Sequence, residues 1–345
     1  MEARNGSLYQ PPSAFPPRPW GGDGGWKQEL GTAFTRPGEL LASLGLDPRL
    51  ADATAGRQFP FLVPRGFARL MTPGDRWDPL LLQVLPLAAE GEEHPGFIQD
   101  PVGDAQARRA PGLLRKYRGR ALLLVTGACA LHCRYCFRRH YPYGEGALIH
   151  DREGQALAAI AADPSLSEVI LSGGDPLMLD DDHLQALLKA LAAIPHLRRL
   201  RLHSRLPVVL PARITPGLLG LLGDLPLRTS LVVHVNHARE LGLEAAAALR
   251  ALAGAGIVLL NQSVLLRGVN ADSQSLIALS EALFNHRVLP YYLHLLDPVA
   301  GAAHFAVSLG EAQRLIRVLR AELPGYLVPR LVREDAGAPY KVPLA

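Results

Sequence analysis

The stretch RALLLVTGACALHCRYCFRRHYPY, residues 120–143, decides the fold because it joins a buried strand to a cysteine-rich loop. The apolar run Ala121–Val125 predicts the strand. All three cysteines of the chain follow it with the spacing C-x3-C-x2-C, as Cys129, Cys133 and Cys136. Three thiolates on one short loop can bind three irons of a 4Fe-4S cluster and leave the fourth iron open to a small molecule.

A structural zinc site is the alternative for the same loop, with His132 or His140 as the fourth ligand. Such a site usually draws a second pair of ligands from elsewhere, and the chain has no further cysteine. The ligand count therefore favours the cluster.

From residue 111 onwards the chain alternates strand-like and helix-like patterns, which predicts an α/β fold with a parallel sheet. Amphipathic helical patterns occupy residues 151–164, 181–194, 242–256 and 272–286. Six such repeats predict a partial (β/α)6 TIM-like barrel, with functional residues at the C-terminal ends of the strands. The predicted strands are Ala121–Val125, Glu168–Leu171, Leu200–His203, Ser230–Val235, Ile257–Val264 and Leu289–Leu296.

Composition divides the chain into four predicted regions. Residues 1–26 are rich in Pro and Gly and predict a flexible tail. Residues 27–110 contain short helical patterns broken by Pro and Gly, so we expect a small helical N-terminal region. The partial barrel is expected over residues 111–305, and a C-terminal segment over residues 306–345.

Charge and cysteine usage narrow the class of protein. Of the 345 residues 48% are hydrophobic, yet no apolar run approaches the length of a membrane span. The N-terminus has no signal-peptide pattern, and a cysteine cluster of this kind needs a reducing compartment, so we expect a cytoplasmic protein. The net charge is +4, but the arginines are dispersed, so no nucleic-acid partner is expected.

Lysine usage singles out one residue near the C-terminus. The chain has 4 lysines against 32 arginines, so it uses arginine wherever a positive charge suffices. A primary amine can form a Schiff base and a guanidinium cannot, so a retained lysine can mark such a position. Lys341 lies between prolines in Ala338–Pro343, whereas Lys189 lies in a surface-helix pattern. A solvated tail residue is the ordinary alternative for Lys341.

A glycine motif follows the second predicted strand: Ser172, Gly173, Gly174 and Asp175. Paired glycines let a ligand approach the backbone, whose free N–H and C=O groups can bind a charged small molecule. The ordinary alternative is a strand-to-helix turn with Asp175 as a cap.

Polar residues also stand at or near the ends of the third, fourth and fifth strands. Arg205, His234 and Gln262 are the best candidates among them. Buried polar groups need partners, so these side chains either satisfy one another or line a cavity. In the second case they would hold ribose, carboxylate and phosphate groups of a ligand.

Several motifs together resemble a known family. The CxxxCxxC loop resembles that of the radical S-adenosylmethionine superfamily. From about residue 60 to the end, the chain resembles the lysine 2,3-aminomutase family. It is most similar to the short branch that makes (R)-β-lysine for modifying elongation factor P. The motifs are KYRGRALLLVTGACALHCRYCFRRHYPY, LSGGDPLML, HSRLPVVLPARIT, LNQSVLLRGVN, YYLHLLDPVAGAAHF and PYKVPL.

The resemblance implies three cofactors: a 4Fe-4S cluster, S-adenosylmethionine and pyridoxal 5'-phosphate. It implies that the glycine motif contacts the amino group of S-adenosylmethionine, and that Lys341 carries the pyridoxal phosphate. Lys116, Tyr117 and Arg120 match positions that hold the same cofactor. Two cations and an aromatic ring suit a dianionic phosphate and a pyridine ring.

The resemblance also implies the substrate contacts. Arg138 matches an arginine that binds the substrate carboxylate, and Asp297 matches one of two acids that bind the distal ammonium of lysine. Counting back from Lys341 places the second acid at Glu334, where the longer enzymes have an aspartate; Asp335 is adjacent.

The expected function is the conversion of L-lysine to (R)-β-lysine. An electron donor such as flavodoxin or ferredoxin is expected, with a functional link to elongation factor P and its β-lysine ligase. The alternatives are an aminomutase for another amino acid, such as glutamate, and a non-catalytic protein that binds a metal or cluster.

Overall fold

The structure is a computed structural model that describes residues 25–146 and 153–345. One mixed sheet of ten strands runs through it, and the order of the strands in the sheet is their order in the chain. The strands are β1 (Arg108–Ala110), β2 (Leu113–Leu114), β3 (Arg120–Thr126), β4 (Glu168–Gly173), β5 (Arg199–Ser204), β6 (Arg228–Val233), β7 (Val258–Leu265), β8 (Val288–Leu295), β9 (Arg330–Arg333) and β10 (Val342–Pro343).

The central strands β3 to β9 are parallel, and antiparallel pairs extend the sheet at both ends. The six predicted strands are β3 to β8, so the α/β prediction is confirmed. The strands β1, β2, β9 and β10 were not predicted, because two to four residues are too few for a periodic pattern.

Helices connect the parallel strands and cover the sheet. The fourteen helices within the described ranges are α1 (Gly25–Gly31), α2 (Pro37–Ser43), α3 (Ala53–Gln58), α4 (Arg65–Ala68), α5 (Pro79–Leu82), α6 (Asp104–Ala107), α7 (Tyr143–Gly146), α8 (Glu153–Ala161), α9 (Asp181–Ala192), α10 (Leu206–Val209), α11 (Pro216–Gly223), α12 (Leu243–Gly254), α13 (Ser273–Asn285) and α14 (Leu309–Glu322).

Four of the helices that follow parallel strands begin where the sequence supplies a cap. The side chains of Asp180, Thr215, Asp272 and Ser308 accept hydrogen bonds from the first turns of α9, α11, α13 and α14. Such caps satisfy N–H groups that have no partner inside the helix. None of the helices in the described ranges is both long and apolar enough to cross a membrane.

The predicted N-terminal region is helical and packs into the same hydrophobic core as the sheet. Phe67 and Leu80 belong to one buried cluster with Leu123 and Leu171 of β3 and β4. The first helix begins at Gly25, so the last two residues of the predicted tail are helical. Residues 1–24 of that tail lie outside the described residues.

The sheet curls so that its two ends approach each other. Lys116, just before β3, places its Nζ 2.8 Å from Glu334 Oε1, just after β9. No strand pairing links β1 to β10 within the described residues, so the barrel is partial, as predicted. The curled sheet encloses a space at the C-terminal ends of its parallel strands.

Candidate functional site

A cavity of about 300 Å³ lies at the C-terminal ends of the strands. Every predicted site residue contributes to its lining, from segments that lie far apart in the chain. Their roles remain predictions, but one enclosed space brings all of them together. They are Lys116, Tyr117, Arg120, Cys129, Cys133, Cys136, Arg138, Ser172, Gly173, Gly174, Asp175, Arg205, His234, Gln262, Asp297, Glu334 and Lys341.

The cysteine loop leaves β3 and is held against the N-terminal region by backbone hydrogen bonds. His132 N donates to Leu62 O at 3.1 Å, and Arg134 N donates to Gln83 O at 2.9 Å. All three thiols are free and partly exposed to the cavity. Burial, and then the neighbouring Cys133, raises the pKa of the Cys136 thiol to about 11. A bound metal cation reverses this preference for the protonated thiol, because cysteine ligates metals as the thiolate.

The donors on this loop are of the type that a 4Fe-4S cluster binds, because three free cysteines line one cavity and each would bind its own iron. Across residues 25–146 and 153–345, no group of three His, Cys, Asp or Glu side chains is arranged to hold a single ion. His140, one candidate for the zinc alternative, instead contacts Ala300 O through Nε2 at 3.0 Å.

A buried ion-pair cluster supports the loop from behind. Glu90 accepts hydrogen bonds from Arg134 Nε at 2.8 Å and from Arg139 Nη2 at 2.7 Å. Neither Glu90 nor the Arg134 side chain is exposed. Arg134 also donates to Phe59 O and Ala55 O of the N-terminal region. The paired charges therefore fix the backbone that carries Cys133 and Cys136.

The glycine motif is packed against the chain itself, which gives its glycines a reason that does not depend on a ligand. A Cβ at Gly173, whose φ is +130°, would lie 2.3 Å from Thr126 O. A Cβ at Gly174 would lie 2.2 Å from Ala128 O. The backbone that approaches these glycines belongs to the cysteine loop, and Gly174 N donates to Thr126 O at 2.7 Å. Glycine is therefore required here whether or not a ligand also binds.

Asp175 takes the capping role that was the alternative for this motif. Its carboxylate accepts from Ser204 Oγ at 2.7 Å, from Arg205 N at 2.7 Å and from Leu177 N at 3.0 Å. Burial raises its pKa to about 6, and these hydrogen bonds oppose the shift. Asp175 thus ties the end of β4 to the end of β5.

Arg205 is engaged by the protein rather than left open to a ligand. It donates to Cys133 Sγ, Tyr135 Oη, Gln83 Oε1 and Glu240 Oε2, all within 2.9 Å. For this residue the structure favours the alternative in which polar groups satisfy one another.

His234 and Gln262 both face the cavity. His234 Nε2 lies 3.1 Å from Tyr135 Oη, and the two rings are stacked. Burial and then the charge of Arg205 lower the pKa of His234 to about 3, so its imidazole is neutral. A neutral imidazole and an amide suit uncharged groups such as a ribose.

The opposite wall carries the charged residues. Lys116 Nζ lies 2.8 Å from Glu334 Oε1 and 2.6 Å from Asp104 Oδ1. Asp104 Oδ2 accepts from Arg138 Nε at 2.6 Å. Lys341 donates to the other oxygen of Glu334. An alternating chain of two acids and three cations therefore runs along this wall.

Asp297 differs from these acids because its charge has no direct partner. Its Oδ1 is buried without a hydrogen-bond partner among the described residues. Burial, and then the charge of Glu334, raises the pKa of its carboxyl to about 7. An oxygen of this kind suits a cationic ligand group.

Tyr117 and Arg120 line the remaining edge of the cavity. The Arg120 guanidinium lies 4.7 Å from the centre of the Tyr117 ring. No carboxylate pairs with Arg120 in the described part of the chain. A cation beside an aromatic ring fits a phosphorylated, aromatic cofactor.

Sequence reasoning missed several residues that organise the site. Asp104, Gln83, Glu240 and Tyr135 are buried polar partners of predicted residues, and Glu90 holds the cysteine loop through Arg134 and Arg139. No local pattern identifies them, because their partners lie far away in the chain. Spacing within the loop could have drawn attention to Tyr135 alone, since it stands between two cysteines.

Comparison with known proteins identifies the family of the chain. Residues 123–278 match the family model of the Radical SAM superfamily. An L-lysine 2,3-aminomutase of Escherichia coli is 50% identical over 322 residues, which cover 92% of this chain and 94% of the relative. One from Haemophilus influenzae is 46% identical over 92% of this chain and 94% of its own length. One from Clostridium subterminale is 36% identical over 81% of this chain and 67% of its own length.

Among solved structures, a radical SAM methyltransferase from Sphaerobacter thermophilus aligns with 65% of this chain and 71% of its own, at 18% identity and a TM-score of 0.47. That alignment adds nothing on function. Two of these relatives match 92% of the chain, at 46–50% identity. The chain therefore belongs to the L-lysine 2,3-aminomutase family of radical SAM enzymes, which are isomerases.

Proposed function

We propose that this protein converts L-lysine to (R)-β-lysine, and that the product serves the modification of elongation factor P. One observation carries the proposal: a single cavity joins the three cysteines to Lys341 and to the unpaired oxygen of Asp297. Family membership implies a 4Fe-4S cluster, S-adenosylmethionine and pyridoxal phosphate. When bound, these groups supply one-electron chemistry and an extended π-system.

The residues of the chain supply binding and orientation. Cys129, Cys133 and Cys136 would hold the cluster, and Lys341 would hold pyridoxal phosphate through its amine. Arg120 would take the phosphate, because it has no carboxylate partner in the described residues. The cavity walls exclude water from the reacting groups.

The substrate contacts lie on the wall that carries Lys341. The guanidinium of Arg138 can form a bidentate pair with a carboxylate. Asp104 Oδ2 accepts a hydrogen bond from Arg138 Nε at 2.6 Å, which fixes the orientation of the guanidinium. Asp297 would take the distal ammonium of lysine, since that cation provides the partner that Oδ1 lacks. A glutamate side chain would instead bring a second carboxylate to Asp297, which disfavours the alternative substrate.

The test is an anaerobic assay with L-lysine, S-adenosylmethionine, pyridoxal phosphate and a reductant, reading out β-lysine by chiral chromatography. Glutamate in place of lysine is the matched control, and we expect no product from it. Product from glutamate and none from lysine would overturn the assignment of the substrate. A non-catalytic binder would give no product from either.

The finer proposals need separate experiments. The cytoplasm is the expected compartment, with flavodoxin or ferredoxin as the electron donor in place of a chemical reductant. The link to elongation factor P predicts that its β-lysine ligase prefers the product over L-lysine. Equal use of both amino acids by the ligase would contradict that link.

A further inference from the structure

A buried guanidinium lies against one cysteine of the loop. Arg205 Nη1 donates to Cys133 Sγ at 2.7 Å, and Arg205 is 8% exposed. Within residues 25–146 and 153–345, no other charged side chain donates a hydrogen bond to a cysteine sulfur. Cys133 is thus the one sulfur among the three that receives a charged donor.

The position of Arg205 is fixed from both sides. Its Nη1 also donates to Tyr135 Oη at 2.8 Å, and its Nη2 donates to Gln83 Oε1 at 2.7 Å and to Glu240 Oε2 at 2.9 Å. Glu240 is itself held, because it accepts from Asn236 N at 3.0 Å. These partners come from the N-terminal region, the cysteine loop and the segment after β6. The cation therefore cannot move away from the sulfur without breaking several buried hydrogen bonds.

The hydrogen-bond count shows why Arg205 is a poor carboxylate clamp. A guanidinium has five N–H groups, and the four on Nη1 and Nη2 are matched by four acceptors. Nε is the remaining donor, and it has no partner in the described residues. A ligand could receive one hydrogen bond from Arg205 but not a bidentate pair.

We propose that Arg205 sets the reduction potential of the cluster bound at Cys133. Reduction adds a negative charge to a cluster, and a fixed cation at the ligand sulfur stabilises that charge. Hydrogen bonds to cluster sulfurs and nearby charges are established ways in which proteins tune such potentials. Arg205 therefore raises the potential, so that a weaker donor can reduce the cluster.

Glu240 should affect the reduction potential in the opposite direction from Arg205. It contacts Nη2, whereas Cys133 contacts Nη1, so the negative charge lies on a different arm of the guanidinium from the sulfur. Its charge lowers the potential, but by less than Arg205 raises it, because its distance to the cluster is greater. Arg205 and Glu240 should thus have opposite effects on one measured quantity.

The test is a redox titration of the reconstituted protein, followed by electron paramagnetic resonance, without lysine, S-adenosylmethionine or pyridoxal phosphate. Arg205→Gln should lower the midpoint potential, Arg205→Lys should lower it less, and Glu240→Gln should raise it. Arg213→Gln is the matched control, because Arg213 is buried and paired with Asp181 but does not line the cavity. It should leave the potential unchanged.

The outcomes separate this inference from the proposed function on which it rests. Unchanged potentials in variants that retain their iron, or shifts of one sign in all of them, would overturn the role of Arg205 alone. If Arg205→Gln does not fold, Arg205→Lys and Glu240→Gln decide, and wild-type potentials in both overturn the role. Wild-type protein that binds no iron would overturn the cluster and this inference together.

Discussion

Lys116 and Glu334 form an ion pair on one wall of the cavity, with Lys116 Nζ 2.8 Å from Glu334 Oε1. Lys341 donates to the second oxygen of the same carboxylate. Burial alone would raise the pKa of Glu334, but Lys341 and Lys116 together hold it well below its usual value. Glu334 is therefore an ionised acid that a substrate ammonium would have to share with two lysines.

The surroundings of the two neighbouring acids differ, and we expect Glu334 rather than Asp335 to meet the substrate. Glu334 lines the cavity, whereas Asp335 pairs with Arg333, and both side chains of that second pair are well exposed. We expect Glu334→Gln to raise the KM for lysine strongly, because breaking one side of a buried pair costs about 3–5 kcal/mol. Asp335→Asn is the control and should change lysine kinetics little, since exposed pairs contribute about 1 kcal/mol or less. The reverse pattern would move the acid to Asp335.

The cysteine assignment makes a prediction that also separates a cluster from zinc. Cys129→Ala, Cys133→Ala and Cys136→Ala should each remove bound iron and activity together, because three thiolates are the protein ligands of the cluster. His140→Ala should retain iron, since the His140 ring contacts a backbone carbonyl. Iron and zinc are measured by elemental analysis of anaerobically purified protein. Full iron in any cysteine variant would contradict the ligand assignment.

The fold was predictable where the sequence carries long patterns. The strands β3 to β8 have six to eight residues with apolar runs, and their bounds agree with prediction to within two residues at each end. The strands β9 and β10 have four and two residues, and tertiary pairing alone reveals them. That pairing holds Val342, the residue next to Lys341, against β9, so the C-terminal segment is part of the sheet.

The site was predictable in membership but not in its internal contacts. Most of the motifs stood at the end of a predicted strand, and parallel strands bring those ends to one edge. The sequence does not show which polar groups pair with one another. Pairs such as Asp104 and Arg138 form only when segments distant in the chain pack together. The glycines at 173 and 174 show the same limit. Their type was informative, but their contact is the cysteine loop.

Asp297 gives a pH dependence that can be measured without cofactors. Its pKa is about 7 in the folded chain, and about 3.9 is usual for an unfolded aspartate. Between these values the folded chain holds a proton that the unfolded chain releases, so this group lowers the stability as pH rises. The asparagine side chain of the variant Asp297→Asn cannot ionise, so the variant should not lose this stability as pH rises.

Urea unfolding at pH 5 and pH 8 tests this prediction. The gain in the free energy of unfolding from Asp297→Asn should be smaller at pH 5 than at pH 8, because at pH 5 the loss that begins near the unfolded pKa is only partly developed. At pH 8 the variant should be the more stable of the two. A difference that does not vary with pH would mean that Asp297 is already ionised at pH 5.

Lys341 sets the proposed role directly against the usual behaviour of a lysine near a chain terminus. Its side chain is 19% exposed, lines the cavity and donates to Glu334, so it is not a freely solvated residue. Lys341→Arg keeps the charge, but a guanidinium cannot bind pyridoxal phosphate covalently. We expect the variant to lose the visible absorbance of lysine-bound pyridoxal phosphate and nearly all activity, while its iron–sulfur spectrum persists. Lys189→Arg, on the exposed face of α9, is the control and should be silent.

Borohydride reduction of the wild type followed by peptide mapping gives an independent readout. Label on Lys116 or Lys189, with Lys341 unmodified, would refute the assignment.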